Sequence, residues 1–552
     1  MKNFTENSVT PVTHAQNSDN SVVTFPKLSL YANNEKFTES DDTPVTHTNA
    51  GVEVAKVDPD EVAAFFNRPV GEGDLQGPEN DAPNTGASDP RYSDAGNAQR
   101  LAEACGKDIV YVVEADEYFV WNEHRWARDT GKVQMLRMAK AVTEQMFEEA
   151  ATLPEEERNV LRRFALKSQD SARLKAMVAL AKMYVRNVHY REFDQKPMLF
   201  NVANGTIDLI GGKLIDPRRS DLITVMSPVS YDPMAVFEPW DDYLMDWMQG
   251  DREKVKYLQR LCGYIMTGLT AEEVMDIFHG TGRNGKTKFY ETIFNVLGDD
   301  CYAKAANFDS FVVMKGDPGM PNDVAGWRGK RLIVASEGEK SKRLAEAKIK
   351  LLTGGDPVVG EFKYQEEFNY IPTYKIWLVT NYKPRIVGTD EAVWSRVHFV
   401  GWNRFYEPCE RDPKLQEKLD ANLPAILNWM VQGCLEWQKQ GLNPPASMVE
   451  DMQKYRNEQD TIGRFVEDEF ILGDEHRSPK REAYTCYKRW AEETGEHYVL
   501  TQAEFNEKML ERFQEGRSSG SRFWKGFRLK HEIDDAIARL GTSYSELEKA
   551  IQ

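Results

Sequence analysis

The octapeptide at residues 280–287 has the composition and spacing of a phosphate-binding loop. It fits the pattern GxxxxGK followed by Ser or Thr, and it reads Gly280-Thr281-Gly282-Arg283-Asn284-Gly285-Lys286-Thr287. In such a loop the backbone N–H groups surround nucleotide phosphates, the lysine contacts the β- and γ-phosphates, and the last hydroxyl binds Mg²⁺. We therefore predict that all eight residues form a nucleotide site, with Lys286 catalytic and Thr287 a metal ligand.

The residues on either side of the octapeptide favour this interpretation over an ordinary glycine-rich turn. Residues 274–279, just before the loop, predict a strand. After the loop, four apolar residues recur at helical spacing, namely Phe289, Ile293, Val296 and Leu297. A phosphate loop needs this order of strand, loop and helix, because the helix N-terminus faces the phosphates.

A second carboxylate-bearing strand would supply the chemistry of hydrolysis. The run 331–336 is typical of a buried parallel strand, and Glu337 directly follows it. We predict that Glu337 activates the attacking water and contributes to the Mg²⁺ site. A surface glutamate that merely ends a core strand is the alternative. Ser336 occupies the position where many P-loop ATPases have an aspartate, so the metal is expected to depend more on Thr287 and water.

Two further polar residues complete the candidate catalytic set. Asn381 ends the strand-like run 375–380, where its amide could orient water or contact the γ-phosphate, although Asn is also a common turn former. Arg396 follows fifteen residues later and could act as an arginine finger on a nucleotide bound by a neighbouring subunit. Without the other motifs, a surface arginine in a salt bridge would be the simpler interpretation.

The elements that position these residues divide the 552-residue chain into several regions. Residues 1–90 form an arm rich in Ser, Thr and Asn that we predict to be disordered, because it offers few apolar residues to bury. Residues 91–265 predict an α+β and helical module, with helices between 133 and 188. Residues 266–405 alternate strands with helices, which predicts a mainly parallel α/β sheet. Residues 406–470 predict a helical continuation of this core, and residues 471–552 a basic domain resembling a winged helix, with a tail.

The overall composition excludes some classes of protein. A net charge of −18 argues against a protein that coats nucleic acid over its whole surface, although it allows a basic channel. No stretch approaches the roughly 18 consecutive apolar residues of a membrane span, and the start does not resemble a secretory signal. Six cysteines occur singly, without the paired spacing of a zinc or redox site. We therefore predict a cytoplasmic protein with no membrane contact.

The densest mixture of basic and aromatic residues lies between residues 512 and 530. It includes Arg522 and Lys525, interleaved with Phe523, Trp524 and Phe527. Such a tract could contact the phosphates of duplex DNA at an origin with little base readout. A β-hairpin packed on its own helices is the alternative, and the two interpretations are compatible.

Taken in order, these motifs resemble superfamily 3 helicases, and within them the phage and plasmid primase-helicase family that is related to the poxvirus replicative helicase. The resemblance rests on the octapeptide, on Glu337, on the segments 350–356 and 381–384, and on Ser395-Arg396. It extends outward to 204–209 and 258–264, and to 484–490 with 526–529. It covers about residues 94–530, and the combination is far more specific than any single motif.

The resemblance implies an AAA+-like P-loop core that assembles into a hexameric ring, binds ATP and Mg²⁺ at subunit interfaces, and moves 3′ to 5′ on single-stranded DNA. The segment between the second and third motor strands would form a hairpin in the pore. Its candidate DNA contacts are Lys363 and Tyr364, with Lys348 and Lys350 on the preceding helix. A cation can bind phosphate and an aromatic ring can stack on a base, although both are also ordinary surface residues.

These features predict an ATP-dependent DNA helicase acting in the replication of a phage, plasmid or other mobile element. The expected partners are single-stranded and forked DNA, further copies of the chain and a separate primase or polymerase, in the cytoplasm of a bacterial host. The alternative is an origin-binding initiator or scaffold in which ATP controls assembly and another protein unwinds. A small-molecule P-loop kinase is disfavoured, because the sequence has no evident lid segment.

Overall fold

The computed structural model describes residues 89–314, 322–336, 342–361, 367–386, 391–496, 498–518 and 520–530. The predicted disordered arm, residues 1–90, lies almost wholly outside this part of the chain. The described residues form a mixed α/β protein with a parallel sheet, which confirms that part of the predicted fold class.

The first module packs four helices against a four-stranded sheet of order β3-β2-β1-β4. Three of its strands are antiparallel neighbours, whereas β4 pairs with β1 in parallel. The sequence predicted helix up to residue 188, but residues 186–188 form the fourth strand. Its elements are α1 (Asp94–Cys105), β1 (Ile109–Val112), β2 (Glu117–Trp121), β3 (Trp126–Arg128), α2 (Val133–Ala151), α3 (Glu155–Ser168), α4 (Ser171–Ala181) and β4 (Arg186–Val188).

A small antiparallel sheet and two helices link this module to the centre of the chain. The sheet has the order β5-β6-β7. The elements of this segment are β5 (Leu199–Val202), β6 (Gly205–Asp208), β7 (Lys213–Ile215), α5 (Pro239–Trp247) and α6 (Arg252–Ile265).

The central region contains a five-stranded sheet of order β14-β8-β13-β10-β9, in which every neighbouring pair is parallel. Between β10 and β13 the chain also forms an antiparallel pair, β11 with β12, whose connection at 362–366 lies outside the described residues. The elements are β8 (Met275–His279), α7 (Lys286–Leu297), β9 (Ala303–Ala306), β10 (Leu332–Ser336), α8 (Glu346–Thr353), β11 (Val358–Gly360), β12 (Phe368–Tyr370), β13 (Lys375–Thr380), α9 (Glu391–Trp394) and β14 (Val397–Gly401).

Helices cover both faces of the central sheet, which explains why its strands are mostly apolar. Residues on one face share a core with α6 and α7, and residues on the other share a core with α8 and α9. The predicted stripe on α7 is fully buried in the first of these cores. Three more helices follow the sheet, α10 (Leu415–Asp420), α11 (Leu423–Gln440) and α12 (Ala446–Gln459).

The core does not divide at residue 265, where the sequence suggested a boundary. Helix α6 packs against α11 on the same face of the sheet as α7, and β5 and β6 contribute to that core. Two glycines allow close contact, because an added Cβ would lie 1.9 Å from Cys434 N at Gly263 and 1.9 Å from Gln259 O at Gly433. The segment from β5 to α6 is therefore part of the central core.

The last module is a three-stranded antiparallel sheet of order β15-β17-β16 packed against three helices. The predicted order of helix, helix and β-rich end is present, but the long strand β15 was not predicted. The elements are α13 (Thr461–Glu469), β15 (Phe470–Pro479), α14 (Lys480–Glu493), α15 (Gln502–Leu510), β16 (Gln514–Ser518) and β17 (Ser521–Leu529).

Within the described residues, none of the helices combines the length and apolar character needed to span a bilayer.

A buried polar chain lies between β8, β14 and α6. Tyr257 Oη donates a hydrogen bond to Asp276 Oδ1 at 2.7 Å and lies 2.7 Å from His398 Nδ1. The other oxygen of Asp276 is buried and has no hydrogen-bond partner among the described residues. Burial raises the pKa of Asp276 to about 7, and it lowers the pKa of His398 to about 4. Strand β8 therefore carries in its interior a carboxyl group that folding favours in its neutral form.

We expect Asp276→Asn to stabilise the protein at pH 8 relative to wild type, and to do so less at pH 5. The folded-state pKa of Asp276 is raised, so its favourable contribution is complete below about pH 4 and is lost as the pH rises through about 7. The amide cannot ionise, and the gain at pH 8 should be on the order of 2–4 kcal/mol. Thermal melts of both proteins at several pH values test this, and a difference in Tm that does not change with pH would contradict it.

Candidate nucleotide-binding site

The octapeptide lies at the carboxyl edge of the central sheet, between β8 and α7. Gly280 fits only as glycine, because an added Cβ would lie 2.2 Å from Asn284 Nδ2 and 2.3 Å from Trp402 O. At Gly285 the φ angle is +85°, and an added Cβ would lie 2.2 Å from Nε1 of Trp247. The loop is thus fixed against α5 and the end of β14, a contact that the sequence did not predict.

The first turn of α7 is open to an anion. Gly285 occupies its N-cap and has no side chain to accept hydrogen bonds from the backbone N–H groups that follow. The side chain of Asn284 is held within the loop, where Nδ2 donates to Trp402 O at 2.9 Å and Oδ1 accepts a long hydrogen bond from Lys286 N at 3.4 Å. Thr281, Arg283 and Thr287 are exposed around the loop. Free N–H groups at a helix N-terminus are a general binding site for phosphate.

Lys286 is buried at the centre of the site, with only 3% of its surface exposed. Its Nζ donates to Gly280 O at 3.1 Å, to Thr380 O at 2.6 Å and to Asn381 Oδ1 at 3.0 Å. Burial lowers the pKa of Lys286 to about 8, and the hydrogen-bond partners of its Nζ among the described residues are all neutral oxygens. A desolvated ammonium that contacts only neutral oxygens would gain strongly from an anion.

Asn381 is brought to the loop by the register of the sheet. Strand β13 pairs with β8 in parallel, so Thr380 lies opposite His279. Asn381 and Gly280, which directly follow these two residues, therefore lie at the same edge of the sheet. His279, which sequence reasoning did not identify, stacks on Phe399 at 5.4 Å and has its pKa lowered to about 4, chiefly by burial. Asn381 thus contacts the loop lysine although it is distant in sequence.

The carboxylate candidate Glu337 lies outside the described residues, so its predicted role stays a prediction. Strand β10 ends at the exposed Ser336, which pairs with Val379 of β13, so Glu337 directly follows a strand of this same edge. Over the described part of the chain, no group of three or more His, Cys, Asp or Glu residues could hold a metal ion. Of the predicted metal ligands, only Thr287 is described, and it lies exposed on the first turn of α7.

Arg396 lies at the opposite edge of the sheet from the octapeptide. It directly precedes β14, whose first residue pairs with Met275 at the start of β8. The loop follows the other end of β8, about 13 Å away at about 3.3 Å per residue. Within the chain, Arg396 forms an ion pair with Glu273 at 2.7 Å and donates to Thr353 Oγ1 at 3.3 Å. The structure therefore separates Arg396 from the nucleotide site of its own chain.

The predicted pore residues are only partly described. Lys348 and Lys350 lie on α8 with partly buried side chains, whereas Lys363 and Tyr364 fall in the connection between β11 and β12, outside the described residues.

The C-terminal basic tract is divided by the fold. Trp524 and Phe527 are fully buried in the core of the last module, so their rings are not available for contact with DNA. Arg512 forms an ion pair with Asp460 at 2.6 Å. Arg522 and Lys525, the two predicted DNA contacts, are both exposed.

Three family models match successive parts of the chain. Residues 98–249 match the family described as D5 N terminal like, residues 278–396 match a family of unknown function (DUF5906), and residues 457–547 match the family described as Poxvirus D5 protein-like. The octapeptide, Asn381 and Arg396 lie within the second match.

Two viral proteins named as putative helicases are similar in sequence. The one from Acanthamoeba polyphaga mimivirus is 24% identical over 306 residues, which is 51% of this chain and 32% of that protein. The one from Frog virus 3 (isolate Goorha) is 24% identical over 264 residues, 44% of this chain and 27% of its own length. This chain thus aligns with about a third or less of each relative. The solved apo structure of the NrS-1 C terminal region is 10% identical, with a TM-score of 0.41 over 78% of this chain and 98% of that one.

Proposed function

The chain belongs to the poxvirus D5-like family, and we propose that it is an ATP-dependent DNA helicase of the superfamily 3 type that acts in the replication of a virus, phage, plasmid or other mobile element. Its relatives named as putative helicases support this function. The proposed reaction couples ATP hydrolysis, with Mg²⁺, to 3′-to-5′ movement along single-stranded DNA.

One observation carries the proposal. Lys286 Nζ contacts Asn381 Oδ1 at 3.0 Å, which joins the octapeptide to the end of the neighbouring strand at the carboxyl edge of a parallel sheet. A buried lysine and a neutral amide, side by side next to an open helix N-terminus, suit a triphosphate whose terminal phosphate is attacked by water. This pairing favours hydrolysis over simple nucleotide storage.

The residues of the site fit ATP and Mg²⁺. The N–H groups at the start of α7 and the Lys286 ammonium would hold the phosphates, and the Thr287 hydroxyl would contact the metal. When bound, Mg²⁺ neutralises charge that develops on the phosphate oxygens. Asn381 would position the attacking water, and Glu337, which directly follows β10, would accept its proton.

The position of Arg396 favours an assembly of several copies. It lies about one strand length, roughly 13 Å, from the loop of its own chain, so any contact with a bound nucleotide would be made in a neighbouring subunit. We propose a closed ring, with a hexamer as the expected form. DNA would pass through the ring, contacted by Lys348, Lys350, Lys363 and Tyr364, and a separate primase or polymerase would extend the strand.

The alternative function is an origin-binding initiator or scaffold whose ATP site controls assembly. The last module favours this candidate to some extent, because its helices and exposed cations Arg517 and Arg522 could contact duplex DNA. In that case another protein would separate the strands.

We expect the full chain to displace a labelled strand from a forked duplex in the presence of ATP and Mg²⁺, and single-stranded DNA to stimulate its ATPase rate. Strand displacement is measured as the fluorescence that appears when the labelled strand leaves its quencher-bearing partner. Substrates with only a 3′ tail or only a 5′ tail show in which direction the protein moves. A blunt duplex, which has no single-stranded tail, serves as the control. ATP-dependent rings without strand displacement would support the initiator, and an ATPase rate indifferent to DNA would contradict the helicase.

A further inference from the structure

One face of the C-terminal sheet exposes an aromatic ring beside two cations. Trp524 on the central strand β17 is buried towards the helices, so its neighbours Phe523 and Lys525 project from the opposite side of the sheet. The register pairs Phe523 with Gly516 on β16 and Lys525 with Arg477 on β15. These four residues therefore share one solvent-facing surface, which we call the outer face.

The absence of a side chain at Gly516 lets the Phe523 ring extend across β16. An ideal Cβ at Gly516 would lie 2.4 Å from both Cε2 and Cζ of the ring, and 3.2 Å from Cε of Lys525. The ring remains partly exposed. The guanidinium of Arg477 lies 5.2 Å from the ring centroid. A planar aromatic group and a planar cation thus form one continuous surface on which a flat ligand could stack.

The charge of the outer face is positive. Arg477 and Lys525 are both exposed and directly opposite each other on adjacent strands, an arrangement that like charges disfavour unless an anion lies between them. The acid Glu515 is opposite Trp524 on the helix-facing side, where it pairs with Lys480. None of the residues that the register pairs around Phe523 on this face is acidic; they are Arg477, Pro479, Gln514, Gly516, Ser518, Ser521 and Lys525. The exposed acids Asp474 and Glu475 lie in the part of β15 that the register leaves unpaired, between Leu472 and Arg477.

We propose that the outer face binds single-stranded DNA, with a base stacked on Phe523 and Arg477 and with phosphates contacted by Arg477 and Lys525. Aromatic rings flanked by cations bind single strands with little dependence on sequence, because every base has a flat face. A duplex hides those faces within its own stack, so the ring would contribute nothing to duplex binding. The proposal rests on the proposed function for its choice of DNA.

The alternation of β17 also separates the two DNA contacts that the sequence predicted together. Lys525 belongs to the outer face, whereas Arg522 lies on the same side of the strand as Trp524 and opposite Arg517. The substitution Arg522→Gln therefore provides a matched control for Lys525→Gln, because it removes one positive charge from the same strand but on the other face.

The first test compares binding of the full chain, without ATP, to a thymidine oligomer and to an abasic oligomer of equal length, by fluorescence anisotropy. We expect Phe523→Leu to weaken binding of the thymidine oligomer about five-fold and to leave the abasic oligomer unaffected, since only stacking is lost. Phe523→Tyr should retain wild-type affinity. Lys525→Gln should weaken binding of both oligomers, and by more than Arg522→Gln does. Equal effects of Phe523→Leu on both oligomers, or no effect on either, would overturn the proposal.

The second test locates the contact directly and does not depend on helicase activity. A single strand carrying 5-iododeoxyuridine is irradiated with the full chain in the Lys286→Ala background, and the adduct is mapped by mass spectrometry. We expect an adduct on Phe523 from the single strand and none from the matching duplex. Adducts that arise equally from the duplex, or none at Phe523, would refute the site, as would tighter binding of an RNA strand of the same sequence. A wild-type chain that fails to hydrolyse ATP, while the Lys286→Ala chain still gives this adduct, would contradict only the proposed function.

Discussion

Lys286→Ala is expected to reduce the ATPase rate by at least about a hundred-fold, the size of effect that follows removal of one preorganised electrostatic contact to the reacting group. The buried ammonium of Lys286 is the only cation that the structure places within hydrogen-bonding distance of Gly280, Thr380 and Asn381 among the described residues. Without it, a bound triphosphate would lose its main countercharge. A phosphate-release assay with saturating single-stranded DNA measures the loss, and strand displacement should disappear with it.

The matched control is Lys288→Ala, which removes the same charge from the same helix. Lys288 is partly exposed and pairs with Glu291 at 3.4 Å, so its loss should leave the ATPase rate close to wild type. The fold is not expected to suffer in either variant, because Lys286 is held in a desolvated position that lowers its pKa to about 8. If Lys286→Ala unwound a fork at the wild-type rate, the octapeptide would not be the catalytic nucleotide site.

The sequence predicted those parts of the candidate site whose chemistry and local structure depend on residues close together in the chain. The octapeptide requires a preceding strand and a following helix, and both can be read from apolar spacing, as Phe289 and Ile293 show by their complete burial. The contact between Lys286 and Asn381 was foreseeable only in part. Asn381 was selected as the residue ending an apolar strand, but its approach to Lys286 depends on β13 lying next to β8, which sequence spacing does not determine.

The contacts that the sequence could not reveal are those set by tertiary packing. The closeness of α6 and α11 depends on Gly263 and Gly433, which are 170 residues apart and carry no periodic signal of their own. In the last module, Trp524 and Phe523 are adjacent in a basic tract, and composition alone gives them one role. The strand alternation buries Trp524 and leaves Phe523 partly exposed on the other face. Composition identified the tract, and the fold decides which of its residues can contact DNA.

Arg396→Ala is expected to lower the ATPase rate by about 10³-fold or more, the effect typical of an arginine finger. The guanidinium would stabilise charge on the phosphate of a nucleotide bound by the adjacent subunit. Its ion pair with Glu273 is partly exposed and should contribute no more than about 1 kcal/mol to stability. Glu273→Gln is therefore the control, since it breaks the pair but keeps the guanidinium. If Glu273→Gln lost as much activity as Arg396→Ala, the role of Arg396 would be structural and internal to the chain.

Mixing the two inactive variants separates action between subunits from action within one. A ring that contains both variants includes interfaces at which an Arg396→Ala subunit supplies an intact loop and a Lys286→Ala subunit supplies an intact arginine. We expect such mixtures to hydrolyse ATP faster than either variant alone, because each defect is confined to a different side of the interface. If Arg396 acted on the loop of its own chain, every subunit in the mixture would remain defective and no rescue would occur. The separation of roughly 13 Å between Arg396 and the loop argues against such action within one chain. Mixtures whose rate is the weighted mean of the separate variants would contradict a shared site, and with it the proposed ring.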